Sequence, residues 1–508
     1  MGHWIRQLFK KYQGGRWDLG TRKGRVLAAT PGLILLLAVG LVQALPESAW
    51  SDDYELLTKR IGVGGYQRNL AEGRPLAVLV QAPISLMSST QQLVILRLLG
   101  VGGLLILYCV ILRVLPQRTT AGLQMGQGIV LATSILIPSL QISTYFATAW
   151  FACFAYAISV LCWLAWSNRA WKYKLAALVS LGILGTAVAQ AVFFPLAICA
   201  LLLALSPRKT SDGFRVIAFT AMLVIGSALI SLLVGFAFRL ITDTPSGSRI
   251  GLIQPAEVPE KVIWFITRPI TTSLRPFLTD RPSMSAAALT AVPIALLLVL
   301  ITAALARRAQ VSPIGNIVLV SIGIVGSGSY LLAWSLNQIE YRLIPGMTFS
   351  VLAIILVGAW LLLVDTRTEN SRPSPVRRNL MKVSAGLLLI AIPILAVWTS
   401  VRSTEELIVI PYANKTMLIT SALGRCKPDL TRRIVLSIPD SGFPRKPRIG
   451  DFSMATDLQF EWMPEVNARL IAKTLHFEPS VDFVVVPATE VQSREGDCPV
   501  HLELLPIS

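Results

Sequence analysis

The chain has 508 residues, 54% of them hydrophobic and only 15% charged, which excludes an ordinary soluble domain. Its net charge of +18 is not a nucleic-acid signal, because much of it sits in short loops between long apolar runs.

In chain order, residues 1–25 come first, a basic segment. Trp4, Ile5, Leu8, Phe9 and Tyr12 recur there at helical spacing, opposite Arg6, Lys10 and Lys11. This pattern predicts an interfacial helix on anionic lipid. Apolar runs long enough to cross a bilayer follow, about eleven in all. They lie at roughly 26–45, 92–115, 122–138, 145–166, 174–189, 191–206, 214–241, 284–305, 313–334, 343–364 and 383–402. The stretch 175–206 is divided at AQAVFFP, because Pro195 disrupts a helix and 32 residues exceed one crossing. Lys and Arg gather before the first run and at Arg307-Arg308 and Arg377-Arg378, in loops of one parity. The positive-inside rule makes that side cytoplasmic, and an odd number of crossings leaves the C-terminus outside.

From residue 403 to Ser508 the balance reverses, with 14 acidic residues against 11 basic. IVLSI, DFVVVPA and VHLELL read as strands there, and PEVNARLIAKTL as a helix. The expected fold class is a polytopic α-helical membrane protein with about eleven transmembrane helices over 26–402. A small extracytoplasmic α/β domain follows over 403–508. Cys426 and Cys498 lie in this outer segment and are a candidate disulfide. The other cysteines fall inside apolar runs, where they read as small packing residues. No CxxC is present and the three histidines are scattered, which argues against a zinc site.

The chemistry lies in the outer loops. Loop 46–91 opens with Asp52, Asp53 and Tyr54 and supplies Lys59, Arg60, Arg68 and Arg74. A carboxylate at a membrane surface can serve as general base toward a hydroxyl, or hold a cation against a phosphate. The bland alternative is a pair of solvated loop acids. Gly73 and Pro75 bracket Arg74 just before LAVLVQAPISLM, which is too short to span and reads as an interfacial helix. Loop 242–283 carries Arg249, Lys261, Arg268, Arg275 and Arg281, and positive charge on the outer side calls for an anion. The segment NQIEYRLIPG, 337–346, brings Glu340, Tyr341 and Arg342 to the mouth of a helix. Arg342 is costly there unless paired with Glu340, bound to phosphate or snorkelled to the headgroups. Arg97 and Arg239, near outer helix ends, read as snorkelling. Gln190, at the break before Pro195, can cap a helix or hydrogen-bond a polar ligand.

DDY after the first run, EGRPLA about twenty residues on, TAVAQAVFFP and EYRLIPG together resemble the GtrII-type glucosyltransferases. These bacterial enzymes modify surface polysaccharides and are similar in architecture to the GT-C class of polytopic glycosyltransferases. The likeness covers about 46–364, with a weaker echo in GDFSMATDLQFEW at 450–462. It implies a polyprenyl-phosphate sugar donor, inverting transfer at the outer face of the bacterial inner membrane, and a polysaccharide or glycolipid acceptor. By position it marks Asp52 and Asp53 as catalytic and Arg74 and Arg342 as phosphate ligands, with Arg60 a weaker candidate. Tyr54, Gln190, Glu340 and Tyr341 are then possible substrate contacts. No cofactor is required; Mg or Mn is an option, with Asp52 and Asp53 its ligands. A donor synthase and a flippase are the partners such an enzyme needs, and nucleic acid is not among them. Three competing readings are a transporter or flippase, a GT-C enzyme with a protein acceptor, and a non-catalytic assembly subunit.

Overall fold

The computed structural model describes residues 19–48, 53, 57, 67, 69–71, 73–87, 89–115, 121–137, 140, 147–167, 170–245, 253–277, 284–329, 345–364, 375–440, 463–478, 480–491 and 494–502. Each of the apolar runs contains a helix. They are α1 (Leu19–Ala44), α3 (Leu93–Val114), α4 (Ala121–Ile135), α5 (Ala152–Trp166), α6 (Trp171–Gly185), α7 (Phe194–Leu205), α8 (Thr210–Ile241), α10 (Met284–Arg308), α11 (Pro313–Ser327), α12 (Pro345–Val364) and α13 (Pro375–Thr404). Two shorter helices lie in the loops, α2 (Pro75–Ser85) and α9 (Val258–Phe265). Among the described residues, 6 helical stretches are long and apolar enough to cross a membrane: Thr90–Val114, Ala147–Trp166, Thr210–Ile241, Leu289–Arg308, Pro345–Val364 and Lys382–Thr404. The chain is therefore built as a helical membrane protein, since in lipid a helix satisfies its own backbone polar groups.

Burial sorts these helices. Helix α12 is apolar on every side and buried along almost its whole length, packed against α4, α7, α10 and α13. Close crossings rest on small residues: a Cβ on Gly323 of α11 would stand 2.7 Å from the Cβ of Ala200 in α7. By contrast, α8, α10 and α13 leave Leu232, Leu233, Leu289, Leu296, Leu387 and Ile390 exposed. On a soluble surface that much apolar area would be a liability, whereas here it is what lipid wets.

The sequence ends the last apolar run at residue 402, but the helix does not stop there. Helix α13 passes through a π turn, Glu405–Val409, straight into α14 (Ile410–Leu423). Thr404-Glu405-Glu406 interrupts the apolar pattern without interrupting the helix, so the polarity change is not a helix end. Beyond α14 come β1 (Arg433–Ile438), α15 (Met463–Thr474), β2 (Asp482–Pro487) and β3 (Asp497–His501). The strands form a parallel sheet in the order β2-β1-β3, with Ile434 beside Phe483 and Cys498. Ile419 and Leu423 of α14 and Ala468 and Ala472 of α15 close over Ile434 and Leu436 of the central strand. A disulfide joins Cys426, just after α14, to Cys498 in β3. Arg433 donates to both carboxylate oxygens of Asp497 at 3.0 and 2.6 Å across the β1–β3 pair, holding that carboxyl below its ordinary range.

Candidate functional site

The site is built at the C-terminal end of α1. Residues Pro46–Ser48 follow the end of α1, and Arg97, one turn into α3, reaches across to them. Its Nη1 donates to the Pro46 carbonyl at 2.7 Å and also to the Ser48 hydroxyl, while Nη2 donates to the Ser48 carbonyl at 2.9 Å. Arg97 is 1% exposed, so it does not snorkel. A guanidinium buried this deeply needs fixed acceptors, and the polar backbone just beyond α1 supplies them.

Asp53 is wholly buried. Its carboxylate accepts from the backbone N–H of Thr148 at 3.0 Å and of Ala147 at 3.3 Å, in the short 3₁₀ turn Ala147–Ala149. That turn is tied in its own right to α2, because the Trp150 indole donates to the Val80 carbonyl at 2.8 Å. Asp53 thus joins loop 46–91 to the start of the stretch leading into α5, and α2 lies against the same turn. An apolar cluster of Leu57, Ile84, Leu93, Leu96 and Ala147 backs this joint, and Val466 of α15 completes it. The C-terminal segment therefore packs over loop 46–91.

Arg74 stands at the N-cap of α2, half-buried, with Gly73 before it at φ 67°. Only a residue without Cβ takes that turn freely. The turn rests directly on α8, where a Cβ on Gly235 would meet the Gly73 carbonyl oxygen at 2.7 Å. Arg239 is one helical turn further along that face of α8, with its guanidinium 5.8 Å from the centre of the Phe236 ring. Gln190 lies half-buried in the 3₁₀ turn Ala189–Val192, at the break between α6 and α7.

In loop 242–283 Lys261 is 2% exposed, with its ammonium 4.1 Å from the centre of the Trp264 ring. Burial pulls its pKa down to about 8, against a smaller opposing pull from Glu257.

Asp52, Tyr54, Arg60, Glu340, Tyr341 and Arg342 lie outside the described residues, as do the basic helix at residues 4–12 and the segment 450–462. Among the described residues no cluster of three or more His, Cys, Asp or Glu side chains is placed to hold a metal.

A further group was missed in the sequence. Glu47 accepts from the Thr90 hydroxyl and, at 3.2 Å, from the Tyr412 hydroxyl, and its second oxygen accepts from Gln91 Nε2 at 3.4 Å. Tyr412 belongs to α14, so this network again fastens the end of α1 to the C-terminal segment. Burial raises the Tyr412 pKa, which keeps the phenol a donor. The only signal in the sequence was an acid directly after an apolar run. No family model, no characterised protein and no solved structure matches this chain.

Proposed function

We propose that the protein is a GT-C-type membrane glycosyltransferase, similar to the GtrII glucosyltransferases, that moves a hexose from a polyprenyl phosphate to a surface polysaccharide or glycolipid. Glucose is the first sugar to test. What supports this reading is the gathering of Asp53, Glu47 and Arg97 at the end of α1, under a roof contributed by α14 and α15. Acids and cations crowd one end of the helices, as surface chemistry on a lipid-anchored substrate requires and as passage through the membrane does not.

In this reading Asp53 is a positioning residue that fixes the loop, and its neighbour Asp52 is the base. Asp52 takes the proton of the acceptor hydroxyl, whose oxygen attacks the anomeric carbon. The bond from that carbon to the phosphate oxygen breaks, and polyprenyl phosphate leaves with the electron pair, inverting the sugar. Arg74 and Arg342 stabilise the departing phosphate, with Arg60 assisting, because guanidinium forks match phosphate oxygens. The reaction itself needs no metal; Mg or Mn at Asp52 would assist the leaving group electrostatically. We place the chain in the bacterial inner membrane, N-terminus cytoplasmic and C-terminal domain outside, where the Cys426–Cys498 disulfide persists. A synthase and a flippase would deliver the donor.

The test is transfer of labelled glucose from its polyprenyl phosphate to crude surface glycan by the protein in nanodiscs. Asp52→Asn is expected to lower the rate at least ~10²-fold, the usual contribution of a general base. Equal rates in wild type and variant refute the assignment. Movement of labelled lipid across a vesicle bilayer without sugar transfer would replace the enzyme by a flippase.

A further inference from the structure

Helix α12 begins inside the protein. Its first turn, Pro345–Thr348, is buried throughout, yet the opening N–H groups of a helix have no acceptor within it. The Thr348 hydroxyl is buried in that turn with no hydrogen-bond partner among the described residues. A helix start of this kind carries partial positive charge and donors that suit an anion.

A buried cation lies alongside. The helical turn Thr271–Ser273 in loop 242–283 packs on both α10 and α12, and Arg275 follows it two residues on. Arg275 is 8% exposed, and its Nε has no hydrogen-bond partner among the described residues. Burial pulls its pKa down, and no carboxylate among those residues opposes the pull. The helix directions show which end of α12 this loop meets. Gly346 rests on Ser327 at the end of α11, and a short turn joins α11 to α10, so α12 runs parallel to α10. Further along, Gly358 rests on Ile301 of α10. Counting back equally along both helices sets Gly346 level with Leu289, near the start of α10. Gly346 faces α11 and α7, so Thr348, about 200° further round the helix, faces away from them.

A guanidinium withdrawn from water needs an anion or several fixed acceptors. A phosphate meets this need, because its oxygens match the guanidinium fork and also accept from a hydroxyl and from helix N–H groups. At the same level Leu289, Val292 and Leu296 of α10 are exposed at helical spacing, a stripe for lipid to wet. A phosphate carried on apolar chains fits both features at once.

We propose that Arg275, Thr348 and the first turn of α12 hold the phosphate of a membrane lipid, whose chains lie along Leu289, Val292 and Leu296. Such a site exists whether or not the chain transfers sugar. The full chain in detergent is titrated with dioleoyl phosphatidate, polyprenyl phosphate, dioleoyl phosphatidylcholine and inorganic phosphate, and the bound species are read by native mass spectrometry. Phosphatidate or polyprenyl phosphate should bind ahead of phosphatidylcholine, and the tighter of the two names the source. Arg275→Gln should weaken binding about thirty-fold and Thr348→Val about five-fold, the losses of a charged and a neutral hydrogen bond. Arg268→Gln, which removes an exposed cation of the same loop, should leave binding unchanged. If Arg275→Gln is not monodisperse, Thr348→Val carries the test. Binding that both site variants retain overturns the proposal. So does equal weakening by Arg268→Gln, which would mean diffuse surface charge, or equal binding of phosphatidylcholine. Inorganic phosphate binding as tightly as the lipids would remove the lipid from the assignment.

Discussion

Asp53→Asn is the substitution that best separates anchoring from catalysis in the first outer loop. Asp53 is buried and accepts from two backbone amides, Ala147 and Thr148, with Arg97 contributing a nearby positive charge. Asparagine is isosteric but keeps one acceptor oxygen and turns a donor toward the other amide. A hydrogen bond to a charged group contributes about 1.5–3 kcal/mol against about 1 kcal/mol for a neutral one. Losing the charge and one acceptor should therefore cost about 2 kcal/mol locally. Opening of the joint then becomes about thirty-fold more frequent. Hydrogen exchange at Ala147 and Thr148, followed by mass spectrometry in nanodiscs, reads that opening directly. An increase near thirty-fold at these amides and in residues 69–71, with the helices of the membrane core unchanged, is the expected result. Exchange unchanged within about two-fold, combined with lost sugar transfer, would refute the anchoring argument and return the base role to Asp53.

Other outcomes follow from single features. Reducing the Cys426–Cys498 bond opens a loop whose ends are 72 residues apart and should cost the C-terminal sheet about 4 kcal/mol, seen as lost exchange protection in β1 and β3. Protection unchanged by reduction would show that packing alone holds that sheet. Lys261 titrates at about 8 in the folded chain and 10.5 when unfolded, so between those values the unfolded chain binds more protons and stability rises with pH. Thermal unfolding should show that rise in wild type and lose it in Lys261→Met, which should also be the more stable variant at pH 7. Gly235→Val drives a side chain into the Gly73 carbonyl; displacement of the Arg74 turn should cost about 1–3 kcal/mol and lower sugar transfer, while Gly386→Val, where the added carbon meets nothing within 4 Å, should leave transfer unchanged.

The helices were legible because lipid imposes one rule on the whole length of a crossing. A run of apolar residues with no place for unsatisfied backbone has to be helical, so α3, α8, α10 and α12 appear where Leu, Ile and Val accumulate. The strands at IVLSI and DFVVVP were legible from short β-branched runs between turn residues. The site was far less so. Apolar periodicity tells which face of a helix turns inward but not which distant residue it will meet. Glu47 and Tyr412 are 365 positions apart, and Asp53 finds its amides 94 and 95 positions away. Arg97 illustrates the same limit. Near a helix end, a long cation in an apolar run reads as a headgroup contact, and only the folded backbone of Pro46–Ser48 reveals a better partner inside. The helical continuity from α13 to α14 was hidden for another reason: hydropathy reports where an apolar run stops, which is not where the backbone leaves its helix.

That continuity makes the last crossing a lever. Helix α14 extends about 20 Å beyond the π turn, taking 1.5 Å per residue. A change of about 10° in the tilt of α13 would swing its far end by about 3.5 Å against the end of α1. Helices tilt to match the thickness of the bilayer around them. Because Ile419 and Leu423 of α14 pack on the central strand, such a tilt would be passed on to the C-terminal sheet and not absorbed where the apolar run ends.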